Sequence, residues 1–291
     1  MMLMNTLRFL TKTATNGLSR SSFHTTTVCA AAGNGFTQVT QCDGVREICL
    51  NEPKTRNSLS MDMMNAILED LTAEWQNKDL RAIVLTAKGP VWSAGHNLKE
   101  LLPEKGGVEY QTQIFNKLSE IIMNIYKAPV PVIAKVNGLA AAAGCQLVAS
   151  CDLIVASENS KFSTPGANFG VFCSTPGIAI SRVMPRTQAA YMVMTGLPLT
   201  AQEAYTAGLV SRVVPEKDLD KEVDHITDAI KHKSRSVIAL GKDFFYKQLN
   251  VPIEEAYKLG AEKMTENLAL GDSQEGLKSF VEKRKPQWKH E

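Results

Sequence analysis

Apolar and polar positions recur along the chain with two different periods, and these periods predict its secondary structure. Short runs of apolar and β-branched residues predict strands at residues 36–42, 45–50, 82–86, 132–136 and 153–156. Apolar residues spaced three or four apart predict helices that begin after Ser60 and cover residues 110–126, and the chain after Asp218 has an almost entirely helical pattern. Strands that alternate with helices, followed by a helical end, are typical of an α/β core with an α-helical C-terminal region.

Local signals position the first of these elements. Asp43-Gly44 lies between the first two strands and predicts a hairpin. Ser60 can cap the first helix, and residues 98–102 predict the opening of another helix that is interrupted at Pro103. The first helix is expected to bury a stripe made of Met61, Met64, Leu68, Leu71 and Trp75.

Two segments of small residues suggest that the backbone approaches a ligand. The first is residues 93–95, and the second is residues 139–144, which we expect to form a turn that leads into a short apolar helix. Glycine and alanine leave little side chain between backbone and ligand, and amides in the first turn of a helix point outward without internal partners. The pattern therefore predicts a cradle for negative charge. An alanine-rich helix packed closely against a sheet gives the same string of residues.

Composition and charge exclude several classes of partner. A formal net charge of +2 without a dense basic patch argues against nucleic acid. No apolar run reaches the roughly 18 residues that a membrane span needs. The six cysteines include no CxxC pair and no histidine at ligand spacing, so we expect no metal site and predict reduced, mostly buried thiols.

The first 42 residues contain no Asp or Glu but carry Arg8, Lys12 and Arg20 among Ser, Thr, Leu and Phe. An acid-free segment with spaced basic residues is typical of a mitochondrial transit peptide. We therefore predict a transit peptide over residues 1–33 and a protein of the mitochondrial matrix. A disordered tail is the alternative interpretation.

A set of motifs in a fixed order resembles the enoyl-CoA hydratase/isomerase (crotonase) superfamily. The resemblance runs from about residue 36 to residue 286 and rests on Ser93-Ala-Gly-His96, Asn137-Gly138, Gly144-Cys145, Cys151-Asp152, Phe162, Pro165, Pro176-Gly177, Arg182 and Pro185-Arg186. It implies a crotonase-like ββα-spiral core over residues 34–200 and a C-terminal helical trimerisation region over residues 201–291. It also implies an acyl-CoA thioester as ligand or substrate with no other cofactor, and a homotrimer or a dimer of trimers.

The resemblance also implies a site. In the family, two backbone amides stabilise a thioester enolate, and the matching positions are His96 and Ala143. Hydratases of the family carry two glutamates, whose positions hold Gln146 and Gly166 in this chain. Neither Gln nor Gly can transfer a proton at working pH, and acid–base groups contribute roughly 10²–10⁴-fold each. Ordinary water addition should therefore be lost.

Contacts to the nucleotide are implied in the same way. Lys54 and Lys99, together with Asn97 and Leu98 beside the loop that donates the first amide, match substrate-binding positions. Arg56 has the same implied role, and Lys242 is expected to reach the ligand of a neighbouring subunit. Each of these cations could instead be a solvated surface charge.

Substitutes for the missing glutamates are few. His96 is a candidate base, although the side chain of an amide-donating residue usually points elsewhere. Cys145 and Cys173 are nucleophiles only if a base lies nearby, and buried thiols are the favoured interpretation. The other polar candidates are Ser174 and Asn168, which can simply satisfy loop backbone, and Gln146, which can hold a water or a carbonyl.

Two functions remain open after this comparison. The first is an acyl-CoA-binding, catalytically weak or inactive protein that regulates mitochondrial fatty acid and lipid metabolism. The second is an active acyl-CoA lyase, isomerase or hydratase with non-standard acid–base residues. The loss of both carboxylates favours the first for hydration, but a reaction that needs only enolate stabilisation stays possible.

Overall fold

The computed structural model describes residues 30–291, in which two β-sheets are covered by ten α-helices. This confirms the predicted α/β class with a helical C-terminal region. Residues 1–29, on which most of the predicted transit peptide falls, lie outside the described residues. No helix within residues 30–291 has the length and apolar character that crossing a bilayer requires.

The first sheet has seven strands and carries the core. In spatial order its strands are β1 (Ala30–Gly33), β2 (Thr37–Cys42), β3 (Val45–Leu50), β4 (Ala82–Ala87), β6 (Val132–Val136), β8 (Leu153–Ser157) and β11 (Arg212–Val214). β1, β2 and β3 are antiparallel neighbours, whereas the strands from β3 to β11 pair in parallel. Strands β2, β3, β4, β6 and β8 correspond to the five that the sequence predicts. The other two strands, β1 and β11, were not predicted, and β11 comes from the chain after residue 200.

The hairpin between β2 and β3 confirms the prediction from Asp43-Gly44. Asp43 has φ +48° and Gly44 has φ +77°, so both central residues adopt the left-handed conformation that a tight two-residue turn requires. The strand Ala30–Gly33 pairs with β2 on its other side, so the last residues of the segment that the sequence assigns to the transit peptide belong to the sheet.

The second sheet was not predicted from the sequence. Its strands, in spatial order, are β10 (Leu199–Thr200), β9 (Lys161–Ser163), β7 (Leu139–Ala141) and β5 (Val91–Ser93). β5, β7 and β9 run parallel to one another. The expectation of a turn leading directly into a helix over residues 139–144 is wrong, because Leu139–Ala141 is a strand. Three-residue strands rich in alanine have too little periodicity to be recognised.

The helices surround the two sheets. They are α1 (Met61–Thr72), α2 (Gly107–Lys127), α3 (Ala143–Ala149), α4 (Ser174–Val183), α5 (Arg186–Thr195), α6 (Ala201–Thr206), α7 (Leu219–Lys231), α8 (Arg235–Gln248), α9 (Ile253–Ala269) and α10 (Gly271–Val281). The hydroxyl of Ser60 accepts a hydrogen bond from the Met63 amide and confirms the predicted cap of α1. α1 ends before Trp75, and residues 98–102 form turns, so the helix predicted there does not exist.

The first sheet is buried on both faces, which explains the continuous apolar runs of its central strands. One face packs against α1 and α2 through residues such as Ile83, Leu85 and Ile121. The opposite face packs against α7, with Val84 and Ile133 against Leu219 and Val223.

Lys242 on α8 is a structural residue. Its ammonium donates to Asp152 Oδ2 at 2.6 Å and to the backbone carbonyls of Ile125 and Val130 at 2.8 and 3.0 Å. Its side chain is only 7% exposed. The expectation that Lys242 reaches a ligand of a neighbouring subunit is therefore wrong, because three acceptors inside its own subunit use all three of its N–H groups.

Asp152 accepts hydrogen bonds from three residues, one on β6 and two on α8. It accepts the Val132 amide and the Tyr246 hydroxyl, both at 2.6 Å, in addition to Lys242. Burial lowers the pKa of Lys242, and the charge of Asp152 opposes that shift. The network ties the C-terminal helices to the first sheet.

The cysteines only partly match the prediction of reduced thiols. Cys49, Cys145, Cys151 and Cys173 are free, and all but Cys49 are buried. Cys42 is disulfide-bonded, so the prediction is wrong at that position.

Candidate functional site

Three parallel strands of the second sheet end at one edge, and the candidate residues follow them. β5 leads into residues 94–96, β7 into residues 142–143, and β9 into Thr164. The carboxyl ends of parallel strands are where ligands bind in open α/β sheets. The structure thus brings His96, Ala143 and Thr164 to one edge, although they are far apart in the sequence.

Two backbone amides at this edge have no hydrogen-bond acceptor in residues 30–291. In the parallel bridge between Leu59 and His96, the Gly95 carbonyl and the Asn97 amide serve Leu59, which leaves the His96 amide outside the bridge. Ala143 is the first residue of α3, where an amide has no intrahelical acceptor. Both N–H groups are therefore free to donate to a ligand.

Gly95 allows the two loops to meet. It has φ +93°, and a Cβ added to it would lie 3.1 Å from the Ala143 nitrogen and 3.0 Å from the Ala141 carbonyl oxygen. A larger residue would push the two amide-bearing loops apart. Ser93 fixes the loop that contains Gly95: its hydroxyl donates to the Asn57 carbonyl at 2.8 Å and accepts a hydrogen bond from the Gly95 amide at 3.2 Å.

Ala142 adopts a strained backbone conformation directly before the second amide. Its φ is +50° and its ψ is −120°, a region that residues with a Cβ rarely occupy. The ψ of Ala142 sets the orientation of the peptide that carries the Ala143 N–H. The strain therefore lies in the peptide linkage that aims this amide, whereas Ala143 itself has ordinary helical geometry.

We expect Ala142→Gly to stabilise the fold by about 1 kcal/mol. Glycine removes strain on the order of 1–3 kcal/mol, and this exceeds the lost methyl packing and the greater freedom of the unfolded chain. Ala143→Gly is the matched control and should destabilise by about 0.5–1 kcal/mol, because glycine is unfavourable in a helix. Urea unfolding of both variants is the measurement, and changes of the same sign in both would contradict the assignment of strain to residue 142.

The imidazole of His96 is buried and neutral. The Leu59 backbone lies near the ring, but neither ring nitrogen makes a hydrogen bond of good geometry within residues 30–291. The ring packs edge-on against Phe115 with centroids 5.3 Å apart. Burial lowers the pKa of His96 to about 4, and the backbone of Leu59 offsets part of that shift. The ring is therefore uncharged at neutral pH.

Gln146 and Thr164 are buried polar side chains with unsatisfied oxygens. They are 4% and 0% exposed, and neither Gln146 Oε1 nor Thr164 Oγ1 has a partner in the described chain. An unmade hydrogen bond of a buried group costs about 1–3 kcal/mol, so such groups are typically reserved for a ligand or a water. Sequence reasoning missed Thr164; its only signal is a polar residue between a short strand and Pro165.

Gly166 is closely packed on the side where a side chain would lie. A Cβ added there would lie 2.2 Å from the Val171 carbonyl oxygen and 2.7 Å from Cys173 Sγ. The Gly166 amide donates to Cys173 Sγ at 3.3 Å, and its carbonyl accepts the Val171 amide at 3.0 Å. The position that the resemblance matches to a glutamate of the hydratases is therefore closely packed within a tight loop.

The cysteine thiols near this loop are poor nucleophiles. Burial raises the pKa of Cys145 to about 12 and also raises the pKa of Cys173. A thiol that stays protonated does not attack a thioester. Ser174 is a local hydrogen-bond donor to the Phe172 carbonyl at 3.5 Å, and Asn168 lies beside Gly196.

Three cationic side chains lie on the loops next to the His96 amide. Lys54, Arg56 and Lys99 are exposed and form no ion pair with any residue between 30 and 291. The Ala94 amide donates to the Arg56 carbonyl at 3.0 Å, which places the two loops side by side. Asn97 accepts the Lys99 amide at 3.2 Å and so orders that turn, while Leu98 is 59% exposed. Within the described chain, no three His, Cys, Asp or Glu side chains form a group that could hold a metal ion.

Parallel strands whose ends present two free amides, followed by a helical region, define a fold of the crotonase type. Residues 40–291 match the family described as "Enoyl-CoA hydratase/isomerase". The chain belongs to the enoyl-CoA hydratase/isomerase family, and the resemblance inferred from the motifs is confirmed.

The chain is also similar to individual members of the family. The chain is 51% identical over 255 residues to "Enoyl-CoA hydratase domain-containing protein 3, mitochondrial" from Homo sapiens, covering 88% of this chain and 84% of that protein. The crystal structure of the human enoyl Coenzyme A hydratase domain-containing protein 3 has a TM-score of 0.85 at 50% identity and covers 87% of this chain and 100% of that chain. A "Probable enoyl-CoA hydratase, mitochondrial" from Dictyostelium discoideum is 31% identical, with 83% of this chain and 86% of that protein covered.

Proposed function

We propose that this protein binds acyl-CoA thioesters in mitochondrial fatty acid or lipid metabolism and lacks the standard hydratase activity of its family. The observation that carries the proposal is the pair of free amides of His96 and Ala143 beside two positions, 146 and 166, that hold no carboxylate. Binding needs the amides and the surrounding cations. Water addition needs, in addition, groups that transfer protons.

In this proposal the thioester oxygen accepts hydrogen bonds from the His96 and Ala143 amides. Such donors stabilise negative charge that develops on the oxygen, by roughly 3–4 kcal/mol per donor in hydrolases. Lys99, Lys54 and Arg56 lie on the neighbouring loops and suit the phosphates of coenzyme A, because none of them is engaged in an ion pair. Asn97 orders the turn that carries Lys99, and Leu98 offers an exposed apolar contact.

The alternative is an active acyl-CoA lyase, isomerase or hydratase. One observation favours it: the imidazole of His96 is uncharged at neutral pH and its ring nitrogens are unpartnered, so one of them can accept a proton. Mass spectrometry of the purified protein with a panel of acyl-CoA esters separates the two functions. Formation of a new acyl-CoA product, lost in a His96→Gln variant, would establish the alternative.

We expect binding to depend on both ends of the ligand. Lys99→Ala should weaken the binding of butyryl-CoA and of free coenzyme A several-fold, since charge-assisted hydrogen bonds to phosphate are worth about 1.5–3 kcal/mol and exposure reduces that figure. Ala143→Val should block butyryl-CoA and largely spare free coenzyme A, because the added methyl groups stand beside the second amide. Isothermal titration calorimetry measures both.

The exposed lysine Lys258, which lies on α9 away from these loops, provides the control variant Lys258→Ala, which should bind normally. If the parent protein binds no coenzyme A ester even at millimolar concentration, the ligand-binding proposal is wrong and a scaffold role is left.

We also propose import into the mitochondrial matrix with removal of residues 1–33, and assembly as a homotrimer or a dimer of trimers through residues 201–291. The support is the acid-free N-terminal segment and family membership. N-terminal sequencing of the endogenous protein should give a start close to residue 34. Recovery of the protein from the cytosol with Met1 intact would contradict the import proposal.

A further inference from the structure

The chain after α10 forms a strap over residues 284–291, and a buried carboxylate holds the strap by its backbone. The amides of Lys289 and His290 donate to the two carboxylate oxygens of Asp272 on α10, at 2.8 and 2.9 Å. Asp272 is 1% exposed and also accepts the hydroxyl of Ser234 at 2.6 Å. The strap is therefore attached at a specific point rather than lying loosely on the surface.

Side chains of the strap contact two further parts of the fold. The indole of Trp288 donates to the carbonyl of His232, directly after α7, at 2.9 Å. Its ring packs against Gly276 of α10, where an added Cβ would lie 3.2 Å from the ring. Glu291 pairs with Lys78, in the loop before β4, at 2.9 Å. The strap thus connects α10 with the α7–α8 connection and with the loop that leads into the first sheet.

The imidazole of His290 has to be neutral to keep its own contact. The backbone N–H of Arg235, the first residue of α8, donates to Nδ1 of His290 at 3.2 Å. A ring nitrogen that accepts a hydrogen bond carries no proton, whereas both ring nitrogens of an imidazolium are donors. Protonation of His290 would therefore set two N–H groups against each other.

The charged groups that face the His290 ring have both signs. Burial lowers the pKa of His290, and the charges of Arg81, before β4, and Arg235 act in the same direction. Asp272 on α10 and Asp79 before β4 oppose them. A released strap has an ordinary histidine pKa of about 6.5 and binds a proton more readily than the attached strap. Attachment is therefore strongest above this pH and weakens as the pH falls below it.

The carboxylates that hold the strap remain ionised in the same pH range. Burial raises the pKa of Asp272, but the hydrogen bonds from Ser234 and the two strap amides outweigh it, so the pKa lies below its ordinary value. The hydrogen bonds from Arg284 and from the Gln287 amide lower the pKa of Glu275 to about 2. Between pH 5 and 7 these two acceptors do not change, whereas His290 does.

We propose that residues 284–291 are a pH-sensitive strap, which protonation of His290 releases from α8 and α10. Protonation removes the acceptor of the Arg235 amide and adds a positive charge between Arg235 and Arg81. Release uncovers Asp272 and detaches α10 from the loop before β4. The population of the released state rises by at most about tenfold for each pH unit, the limit for uptake of one proton. This proposal is independent of acyl-CoA binding.

Hydrogen–deuterium exchange of the full chain, read by mass spectrometry in a peptide covering residues 285–291, measures the release even when the released state is rare. After correction for the pH dependence of intrinsic exchange, the protection of this peptide should fall about threefold or more between pH 7 and pH 5.5. His290→Asn keeps an acceptor at the position of Nδ1 that does not titrate, and Asn tolerates the φ of +61° found there. Its protection should be equal at both pH values.

Two controls separate release of the strap from other effects of acid. His232→Asn removes a second histidine, whose carbonyl accepts the Trp288 indole, and should keep the response of the parent protein. A peptide from β4 reports general opening of the fold and should keep its protection. Equal protection of the strap at both pH values in the parent would overturn the proposal. So would an undiminished response in His290→Asn, a response lost in His232→Asn, or an equal fall in the β4 peptide.

Discussion

Purified protein should hydrate crotonyl-CoA at least about 10⁴-fold more slowly than a family member that carries both glutamates. Each acid–base group contributes roughly 10²–10⁴-fold, and the resemblance matches Gln146 and Gly166 of this chain to those two positions. The measurement is the loss of the enoyl absorbance, with a hydratase that has both glutamates as the positive control. Hydration at rates ordinary for the family, in protein free of host hydratase, would contradict the proposed loss of hydratase activity.

Restoring the carboxylates should not restore the activity. Gln146→Glu changes little in volume, but Gly166→Glu places a Cβ 2.2 Å from the Val171 carbonyl and 2.7 Å from Cys173 Sγ. Even Gly166→Ala should cost about 1–3 kcal/mol of unfolding free energy, because the closed loop must open to admit a methyl group.

Gly177→Ala is the matched control for residue 166. Gly177 lies in α4, where an added Cβ would meet only the Val193 side chain at an ordinary 3.5 Å. The unfolding free energy of the Gly177→Ala variant should therefore equal or exceed that of the parent protein. A double variant, Gln146→Glu with Gly166→Glu, that hydrates crotonyl-CoA and keeps the parent's stability would show that the loop is not the obstacle.

Lys242→Ala should lower the free energy of unfolding by about 3–5 kcal/mol. The substitution leaves the Asp152 carboxylate buried without its ammonium partner, and breaking a buried pair from one side carries a cost of this order. It also leaves the carbonyls of Ile125 and Val130 without their donor. Urea unfolding followed by circular dichroism measures the change.

Lys247→Ala on the same helix separates charge from position. Lys247 pairs with Asp243 at 2.7 Å, but both side chains are more than half exposed, so its loss should change stability by less than about 1 kcal/mol. If Lys242→Ala is equally mild and instead weakens ligand binding, Lys242 would belong to the ligand site after all.

Interactions between residues close in the sequence determine several elements of the fold. The turn at Asp43-Gly44, the cap at Ser60 and the long apolar stripe of α2 each depend on interactions within a few residues, so the sequence alone determines them. The small-residue segments at 93–95 and 139–144 likewise indicate, without any structure, where backbone amides are accessible.

The roles of other residues depend on partners far away in the chain, and only the tertiary structure decided them. Lys242 and Asp152 are separated by 90 residues, and nothing local distinguishes Lys242 from a surface lysine. The sequence suggests only that Gly166 replaces a glutamate, whereas the structure shows that its close packing against Val171 and Cys173 leaves no room for a side chain. Strands β5, β7 and β9 come together only in the folded chain, because three-residue strands are stabilised by pairing rather than by any preference of their own residues. This pairing produces both the unsatisfied oxygen of Thr164 and the strained φ of Ala142.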